Sequence, residues 1–481
     1  MNKKMIFSTL GQLTLAEAAM MVLPLITALI YGEGKVAIAF LIAIAIAGVV
    51  GALLYFVFKT DNKLIFAKEG FIIVAFGWLI MSAIGALPFV ISGDIPSYID
   101  AFFEMVSGFT TTGASILNDV EALSRGALFW RSFSHWIGGM GVLVFVMAVL
   151  PTLSDRSIHI MRAEMPGPIV GKIVPKARET ARILYVIYLV MTILQTALLL
   201  VGGMPLFDSI LHAFGTAGTG GFGMKADSIA SYSPYLQWVI TIFMFLFGVN
   251  FNLYYVILMK KFRSAMSSGE FWAYLGITLG ATGIIFFNIL SSFDNFGDAL
   301  RHSAFQVASI ITTTGYSSVD FNLWPSLSKT VILALMFVGA CAGSTGGGFK
   351  VTRVVMLFKM IKQELRRMIH PRSVNVVKFE GKTLDKTTLN GVGTYLALYL
   401  VFFVATLMLI SFDSFDFETN FSAALSCINN IGPGFSAVGP MSSFANYTDF
   451  SKVVLSFAML FGRLEIYPLL IALNPSTWTK K

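Results

Sequence analysis

Ser107-Gly108-Phe109-Thr110-Thr111-Thr112-Gly113 ends a short, semi-polar segment that lies between two long apolar ones. Three later stretches take the same place in the order of the chain: Thr219-Gly220-Gly221, Thr312-Thr313-Thr314-Gly315 and Gly432-Pro433-Gly434. Small residues and Gly let backbone carbonyls turn inward, and a ring of carbonyls replaces the hydration shell of a cation. The four copies therefore predict a filter made of four loops inside a membrane. Glycines that serve helix packing are the alternative, but they do not explain four runs at matched places.

The composition restricts the class of protein. The chain has 481 residues, of which 56% are hydrophobic and 12% charged, against about 25% charged in soluble domains. Such a chain cannot cover a water-facing surface, which predicts a polytopic membrane protein. The first thirty residues resemble a signal peptide, but Glu17 interrupts the apolar run, so we expect a retained first helix. The net charge of +8 does not predict nucleic-acid binding, because the basic residues cluster between apolar segments.

Ten apolar segments are long enough to cross a bilayer, which requires about 20 residues. They cover approximately 6–31, 36–58, 70–91, 126–150, 182–202, 236–259, 271–291, 329–360 (broken), 392–411 and 452–473. Shorter segments at about 98–110, 206–217, 299–312 and 419–430 precede the filter copies and predict re-entrant pore helices. Acidic residues at or near their starts suit helix N-termini, so the negative helix ends would face the ion path.

This order predicts an all-α polytopic fold with two leading helices and four pseudo-symmetric units of helix, pore helix, filter loop and helix. The predicted divisions are 1–68 for the two leading helices and 69–165, 166–268, 269–386 and 387–481 for pore repeats 1 to 4. Repeat 3 contains the broken second helix. Most of the 34 Lys and Arg residues fall on the side of the two termini, which predicts that both termini are cytoplasmic. The acidic loops on the other side either concentrate cations or only complement this bias.

Gly343-Ser344-Thr345-Gly346-Gly347-Gly348 interrupts the eighth span. It is not a phosphate-binding loop, because Phe349 separates the glycines from Lys350 and no strand precedes them. Consecutive glycines break a membrane helix, and a break after the third filter copy would lie beneath the filter. The segment is therefore predicted to be a movable gate, with a fixed kink as the alternative.

Arg463 lies midway through the last span, where a charge is costly and indicates a functional role. It would either line the pore as a positive barrier or pair with an acid on another helix. Glu465 is a poor direct partner, since residues two apart on a helix do not face each other. Arg131, His135 and Glu17 are predicted to be packing or interfacial residues. The basic helix around 359–367 would lie on anionic lipid or dock a partner.

Together these motifs resemble the Trk/Ktr/HKT superfamily of potassium transporters, and within it the bacterial TrkH type. The resemblance covers the whole chain and rests on 107–113, the three later filter copies, Gly343–Gly348 and Arg463. It implies a single-chain, pseudo-fourfold, potassium-selective pore in the bacterial inner membrane. The implied ion-binding residues are Thr111, Thr112, Gly113, Thr219, Gly220, Gly221, Thr313, Thr314, Gly315, Ile431, Gly432, Pro433 and Gly434, with Gly434 as the counterpart of Gly113. Gly220 and Pro433 depart from the Thr that precedes Gly in the other copies.

The resemblance also implies partners. It implies a homodimer with two separate pores and a cytoplasmic ring of TrkA-like, nucleotide-binding regulatory subunits that opens the gate. No cofactor is expected in this chain, and potassium is the transported ligand. An ion-coupled secondary transporter remains the first alternative, although it predicts two inverted halves rather than four units of the same sense. A lipid-modifying enzyme is the second, and it would need a cluster of catalytic polar residues that the sequence lacks.

Overall fold

The computed structural model describes residues 1–60, 66–141, 177–372 and 376–479. Within these ranges the chain is almost entirely helical, as the long apolar runs require in a medium where each backbone group must be paired internally. A single antiparallel pair of two-residue strands, Lys378–Phe379 and Lys382–Thr383, is the described exception to the predicted all-α fold. It lies between the helices Val351–Ile369 and Lys386–Ile410.

Two leading segments pack against each other before the first repeat begins. The first comprises the helices Lys3–Met20 and Val22–Ile30, and the second is the helix Gly34–Val57. Gly11 and Gly51 bring the two backbones together, because a Cβ atom at Gly11 would lie 2.7 Å from the Gly51 carbonyl oxygen. Small residues at such crossings let membrane helices approach closely, which fixes this pair as one unit.

Each of the four predicted units shows the same succession of helices. The first helices are Ala67–Gly85 (continued by Leu87–Ser92), Ala177–Val201, Gly269–Ile289 and Lys386–Ile410. Pore helices 1 to 4 are Tyr98–Phe109, Leu206–Gly218, Phe296–Ile311 and Phe417–Asn429. The second helices are Arg125–Gly139, Pro234–Phe247, Ser326–Met336 and Asp449–Arg463. Further helices follow at Phe251–Leu258, Phe262–Met266, Val351–Ile369, Tyr467–Leu473 and Pro475–Trp478.

The second helices are shorter than the sequence predicts. The unbroken spans expected at 236–259 and 452–473 are wrong: the chain bends by 89° after Phe247 and by 117° after Arg463. Asn250 caps the helix that follows the first bend, so the chain restarts in a new direction there. The predicted break in 329–360 is present, between Met336 and Val351. In repeat 1 the helix ends at Gly139, and the predicted remainder at 142–150 lies outside the described residues.

Length and hydropathy support a multi-pass membrane protein. In the described ranges six helices meet both criteria for a membrane span, or up to eight when each bent pair counts as one span. The apolar helix Ser326–Met336 is shorter. The leading helix Gly34–Val57 exposes large apolar side chains such as Leu41 and Phe56, which suits contact with lipid. The ends of the pore helices are instead buried at the centre of the protein.

Candidate functional site

All four pore helices end in the same backbone turn. In repeat 1 the Thr111 amide donates to the Gly108 carbonyl (3.2 Å) and the Thr112 amide to the Ser107 carbonyl (2.9 Å). The matching pairs are Thr219 to Thr216 (3.0 Å), Gly220 to Gly215 (2.8 Å), Thr313 to Ile310 (3.0 Å), Thr314 to Ser309 (2.8 Å), Asn430 to Cys427 (3.3 Å) and Ile431 to Ser426 (3.0 Å). This pair of bonds is the Schellman motif at a helix C-terminus. Because the amides point back into the helix, the carbonyls of these residues are free to face elsewhere.

The first residue of each turn adopts the left-handed conformation. The φ angles are 55° for Thr111, 55° for Thr219, 59° for Thr313 and 55° for Asn430. Asn tolerates this region, but a β-branched Thr there is a strained outlier that costs about 1–3 kcal/mol. Three such outliers at matched places indicate a conformation imposed by the surroundings.

Two residues after each left-handed residue comes a glycine with positive φ. The angles are 80° for Gly113, 75° for Gly221, 82° for Gly315 and 102° for Gly432. The counterpart of Gly113 in repeat 4 is therefore Gly432, and the assignment of Gly434 to that position is wrong. Gly434 lies beyond the turn, where its backbone amide bonds to the Val438 carbonyl (2.7 Å).

The four loops contact one another in cyclic order. A Cβ atom at Gly113 would overlap the Gly220 carbonyl oxygen, and one at Gly221 would overlap the Thr314 carbonyl oxygen. The series continues from Gly315 to the Ile431 carbonyl and closes from Gly432 to the Thr112 carbonyl, at 2.8 Å. Each glycine thus faces the middle residue of the next loop. One ring of backbone results, in which residues distant in sequence are neighbours.

The carbonyl oxygens of this ring are available as ligands. Among the described residues, no hydrogen bond is formed to the carbonyl of Thr112, Gly220, Thr314 or Ile431. The side chains around them are buried, and Gly113, Gly221, Gly315 and Gly432 all line one open cavity of about 130 Å³. The ring therefore lies at the floor of a single mouth, as a cation filter requires.

The departure in repeat 2 has a steric cause, and repeat 4 uses an Asn side chain. The His135 ring, which bonds through Nδ1 to the Gly108 carbonyl (2.7 Å), occupies the space that a side chain at Gly220 would need. In repeat 4 the side-chain amide of Asn430 donates through Nδ2 to the Thr112 hydroxyl and to the Met459 carbonyl, both at 2.9 Å. Asn430 is a residue that the sequence reading missed. Its position just after an apolar helix was the available signal, since Asn is favoured in left-handed helix caps.

The loop Gly343–Gly348, called the gate loop here, lies directly beneath the ring. The Gly347 amide donates to the Thr313 hydroxyl at 2.6 Å, and a Cβ atom at Gly346 would lie 2.9 Å from the Thr312 carbonyl oxygen. The base of the loop is closed by a bond from the Gly339 amide to the Phe349 carbonyl (2.9 Å). The loop therefore packs against the C-terminal ends of pore helices 3 and 4.

Arg463 joins the gate loop to repeat 1. Its guanidinium donates to the Thr345 carbonyl (2.9 Å) and to the carbonyls of Gly138 (2.5 Å) and Gly139 (2.7 Å). The residue is only 9% exposed, so its positive charge is buried among backbone carbonyls. Glu465 instead pairs with Arg353 at 2.6 Å, in agreement with the expectation that it is a poor partner for Arg463.

The other three charged or titratable residues singled out in the sequence are buried. Exposure is 2% for Arg131, 0% for His135 and 0% for Glu17, which agrees with the packing alternative for all three. Arg131 forms an ion pair with Glu104 at 2.6 Å, a contact that no spacing rule predicts.

Comparison with known proteins agrees with this architecture. The family model described as "TrkH: Cation transport protein" matches residues 36–479. The Trk system potassium uptake protein TrkH of Salmonella typhimurium is 34% identical, and the alignment covers 99% of this chain and 100% of that protein. The TrkG protein of Escherichia coli K12 is 35% identical over 95% of this chain and 94% of its own length. The crystal structure of the potassium transporter TrkH from Vibrio parahaemolyticus superimposes with a TM-score of 0.89 at 32% identity, covering 100% of both chains. The chain therefore belongs to the TrkH family of cation transport proteins.

Proposed function

We propose that this protein takes up potassium across a membrane through the ring formed by its four filter loops. The observation that carries the proposal is the cyclic contact of the four positive-φ glycines with the middle carbonyls of the neighbouring loops. Such a ring offers oxygen ligands at fixed spacing, which is how filters replace the hydration shell of an ion. The relatives named above are potassium uptake proteins, which favours potassium over other cations.

The proposed ion ligands are backbone carbonyls at three matched levels. They belong to Thr111, Thr112 and Gly113, to Thr219, Gly220 and Gly221, to Thr313, Thr314 and Gly315, and to Asn430, Ile431 and Gly432. Pro433 and Gly434, also expected from the sequence, lie after the turn and outside this set. The boundaries of the four repeats remain as proposed from the sequence.

The gate loop closes the path, and Arg463 keeps it closed. The support is the bond from Gly347 to Thr313 above and the bond from Arg463 to the Thr345 carbonyl at the side. In this position the guanidinium also opposes passage of a cation, because like charges repel strongly where little water screens them. Opening requires the loop to give up both contacts.

The assembly follows the family resemblance. The protein would be a homodimer in the bacterial inner membrane, with both termini in the cytoplasm, and a TrkA-like ring of nucleotide-binding subunits would move the gate loop. The basic helix Val351–Ile369 continues directly from this loop and exposes Lys362, Arg366 and Arg367, which suits a partner or anionic lipid on the cytoplasmic side.

The test is uptake of rubidium and sodium by proteoliposomes under an imposed potential. Rubidium uptake should exceed sodium uptake, and Gly113→Ser should reduce the ratio because its side chain overlaps the Gly220 carbonyl. Gly93→Ser is the matched control: Gly93 has a similar φ of 85°, but nothing lies within 4 Å of its Cβ position. Deletion of 343–348 should raise uptake without a partner protein. Absence of uptake in both the wild type and a well-folded deletion variant would contradict the proposal.

A further inference from the structure

Glu104 and Arg131 form a buried ion pair on the mouth side of the filter. Glu104 lies in pore helix 1 and Arg131 in the second helix of repeat 1, and their side chains are 0% and 3% exposed. A buried ion pair is weak evidence for stability, because the desolvation of two charges offsets their attraction. Its position relative to the filter indicates a different role.

The carboxylate of Glu104 holds the chain just after filter loop 1. It accepts hydrogen bonds from the Ser115 hydroxyl and from the Ile116 amide, each at 3.0 Å. These residues follow Gly113 by two and three positions. The conformation of the loop as it leaves the ring is therefore fixed by one side chain of its own pore helix.

Arg131 holds the chain just after filter loop 2. Its Nη1 donates to the Gly223 carbonyl at 3.2 Å, and its guanidinium carbon lies 3.5 Å from the centroid of the Phe222 ring. A cation at this distance over an aromatic face is attracted to it. Since Arg131 also pairs with Glu104, the two filter loops are tied together by one ionic contact.

A side chain at or next to the position of Glu104 contacts the segment after the filter loop in repeats 3 and 4, but not in repeat 2. In repeat 3 this position is Gln306, which donates to the Ser317 hydroxyl (2.9 Å). In repeat 4 it is Ala423, and the preceding residue, Ser422, accepts from the Phe435 amide (2.8 Å). In repeat 2 the position belongs to His212, whose Nδ1 bonds instead to the Asp208 carbonyl of its own helix (2.8 Å). The segment after loop 2 is held from outside its repeat, by Arg131 and by the Tyr316 hydroxyl (3.4 Å from the Phe222 carbonyl).

We propose that the Glu104–Arg131 pair is a positioning device for selectivity, which fixes the spacing between filter loops 1 and 2. The Gly113 backbone lies against the Gly220 carbonyl, so a shift of either loop changes the carbonyl ring at this side. Selection between ions of different size depends on how firmly the carbonyls are held, or on their number and orientation. The ion pair affects the firmness and the orientation of the carbonyls in loops 1 and 2. The inference rests on the proposed uptake function.

The test is the ratio of rubidium to sodium uptake in proteoliposomes containing Glu104→Gln. The variant keeps the size of the side chain but removes its negative charge. It also replaces one accepting oxygen by an NH2 group, which faces the hydrogen-bond donors of Ser115, Ile116 and Arg131. We expect rubidium uptake to persist while the ratio falls by about tenfold, the change that about 1.4 kcal/mol of differential interaction produces. Asp100→Asn is the matched control, because it removes the partner of Lys452 (2.6 Å) from the same pore helix without contacting a filter loop.

The outcomes separate the inference from the function on which it rests. An unchanged ratio in Glu104→Gln overturns the positioning role, and so does an equal fall in Asp100→Asn, which would mean that pore helix 1 is only destabilised. A wild-type protein that takes up both ions without discrimination refutes a potassium-selective filter, and absence of uptake in both the wild type and the 343–348 deletion variant refutes the uptake function itself. If Glu104→Gln does not yield monodisperse protein, Arg131→Lys takes its place. That variant keeps the charge but loses the planar fork, and a wild-type ratio in it overturns the role.

Discussion

Replacement of Arg463 by Ala should release the gate loop and raise uptake. The change removes the hydrogen bond to the Thr345 carbonyl, which ties the loop to the end of the last pore-lining helix. Hydrogen bonds of charged groups contribute about 1.5–3 kcal/mol each. Loss of this one bond should therefore shift the closed–open equilibrium of the loop by about 10- to 100-fold. The side chain also leaves the path below the filter, so the barrier to a cation falls in the same direction.

The assay is initial rubidium uptake by proteoliposomes with no regulatory partner, at matched protein content. Arg463→Lys separates the contribution of the hydrogen bond from that of the charge. Lys keeps the positive charge but lacks the planar guanidinium that bonds to carbonyls on two sides. If the tether dominates, the Lys variant should resemble the Ala variant; if the charge dominates, it should resemble the wild type. Unchanged uptake in a monodisperse Arg463→Ala protein would refute both roles.

Two further pairs of variants test the site, each with its own control. Thr313→Val keeps the shape of the side chain but removes the acceptor of the Gly347 amide, so partner-free uptake should rise by about tenfold, as the loss of a buried bond costs about 1–3 kcal/mol. Thr111→Val changes the matching residue of repeat 1, whose hydroxyl has no partner among the described residues, and uptake should stay the same; equal effects in both would exclude the gate contact. Gly432→Ala should abolish discrimination of rubidium from sodium, because φ is 102° and the new carbon would lie 2.8 Å from the Thr112 carbonyl. Pro433→Ala, one residue later, should preserve this discrimination. Loss of discrimination in Pro433→Ala but not in Gly432→Ala would instead favour Gly434 as the counterpart of Gly113.

The existence of the four filter loops is readable from the sequence because each needs a short helix, a turn and a glycine in fixed order. Their register is not equally readable in repeat 4, where glycines flank Pro433 on both sides. Residue type alone favours Gly434, by analogy with the Thr-Gly pairs elsewhere. The backbone decides for Gly432, since Asn430 takes the left-handed position that ends the pore helix.

The bends in the second helices of repeats 2 and 4 cannot be predicted from hydropathy. The runs 236–259 and 452–473 are apolar throughout most of their length, and hydropathy does not distinguish a straight span from two joined helices. Gly462 carried a signal, because a side chain there would overlap the Ile428 carbonyl at the end of pore helix 4. That signal becomes visible only once the two elements are known to touch.

Long-range polar contacts lie beyond any spacing rule. Arg463 bonds to Gly138 and Gly139, more than 300 residues earlier in the chain, and Arg131 reaches Gly223 in the next repeat. The cost of a buried charge shows from sequence that a partner must exist. Which partner it is depends on how the four repeats close around the axis, and only the folded chain contains that information.

The position of a bound ion tests the central claim most directly. Anomalous diffraction from crystals grown in rubidium should show a peak on the axis, within ligand distance of the carbonyl oxygens of Thr112, Gly220, Thr314 and Ile431. A peak beside Pro433 and Gly434 but not within the ring, or no axial peak in a protein that still discriminates rubidium from sodium, would contradict the four-loop filter described here.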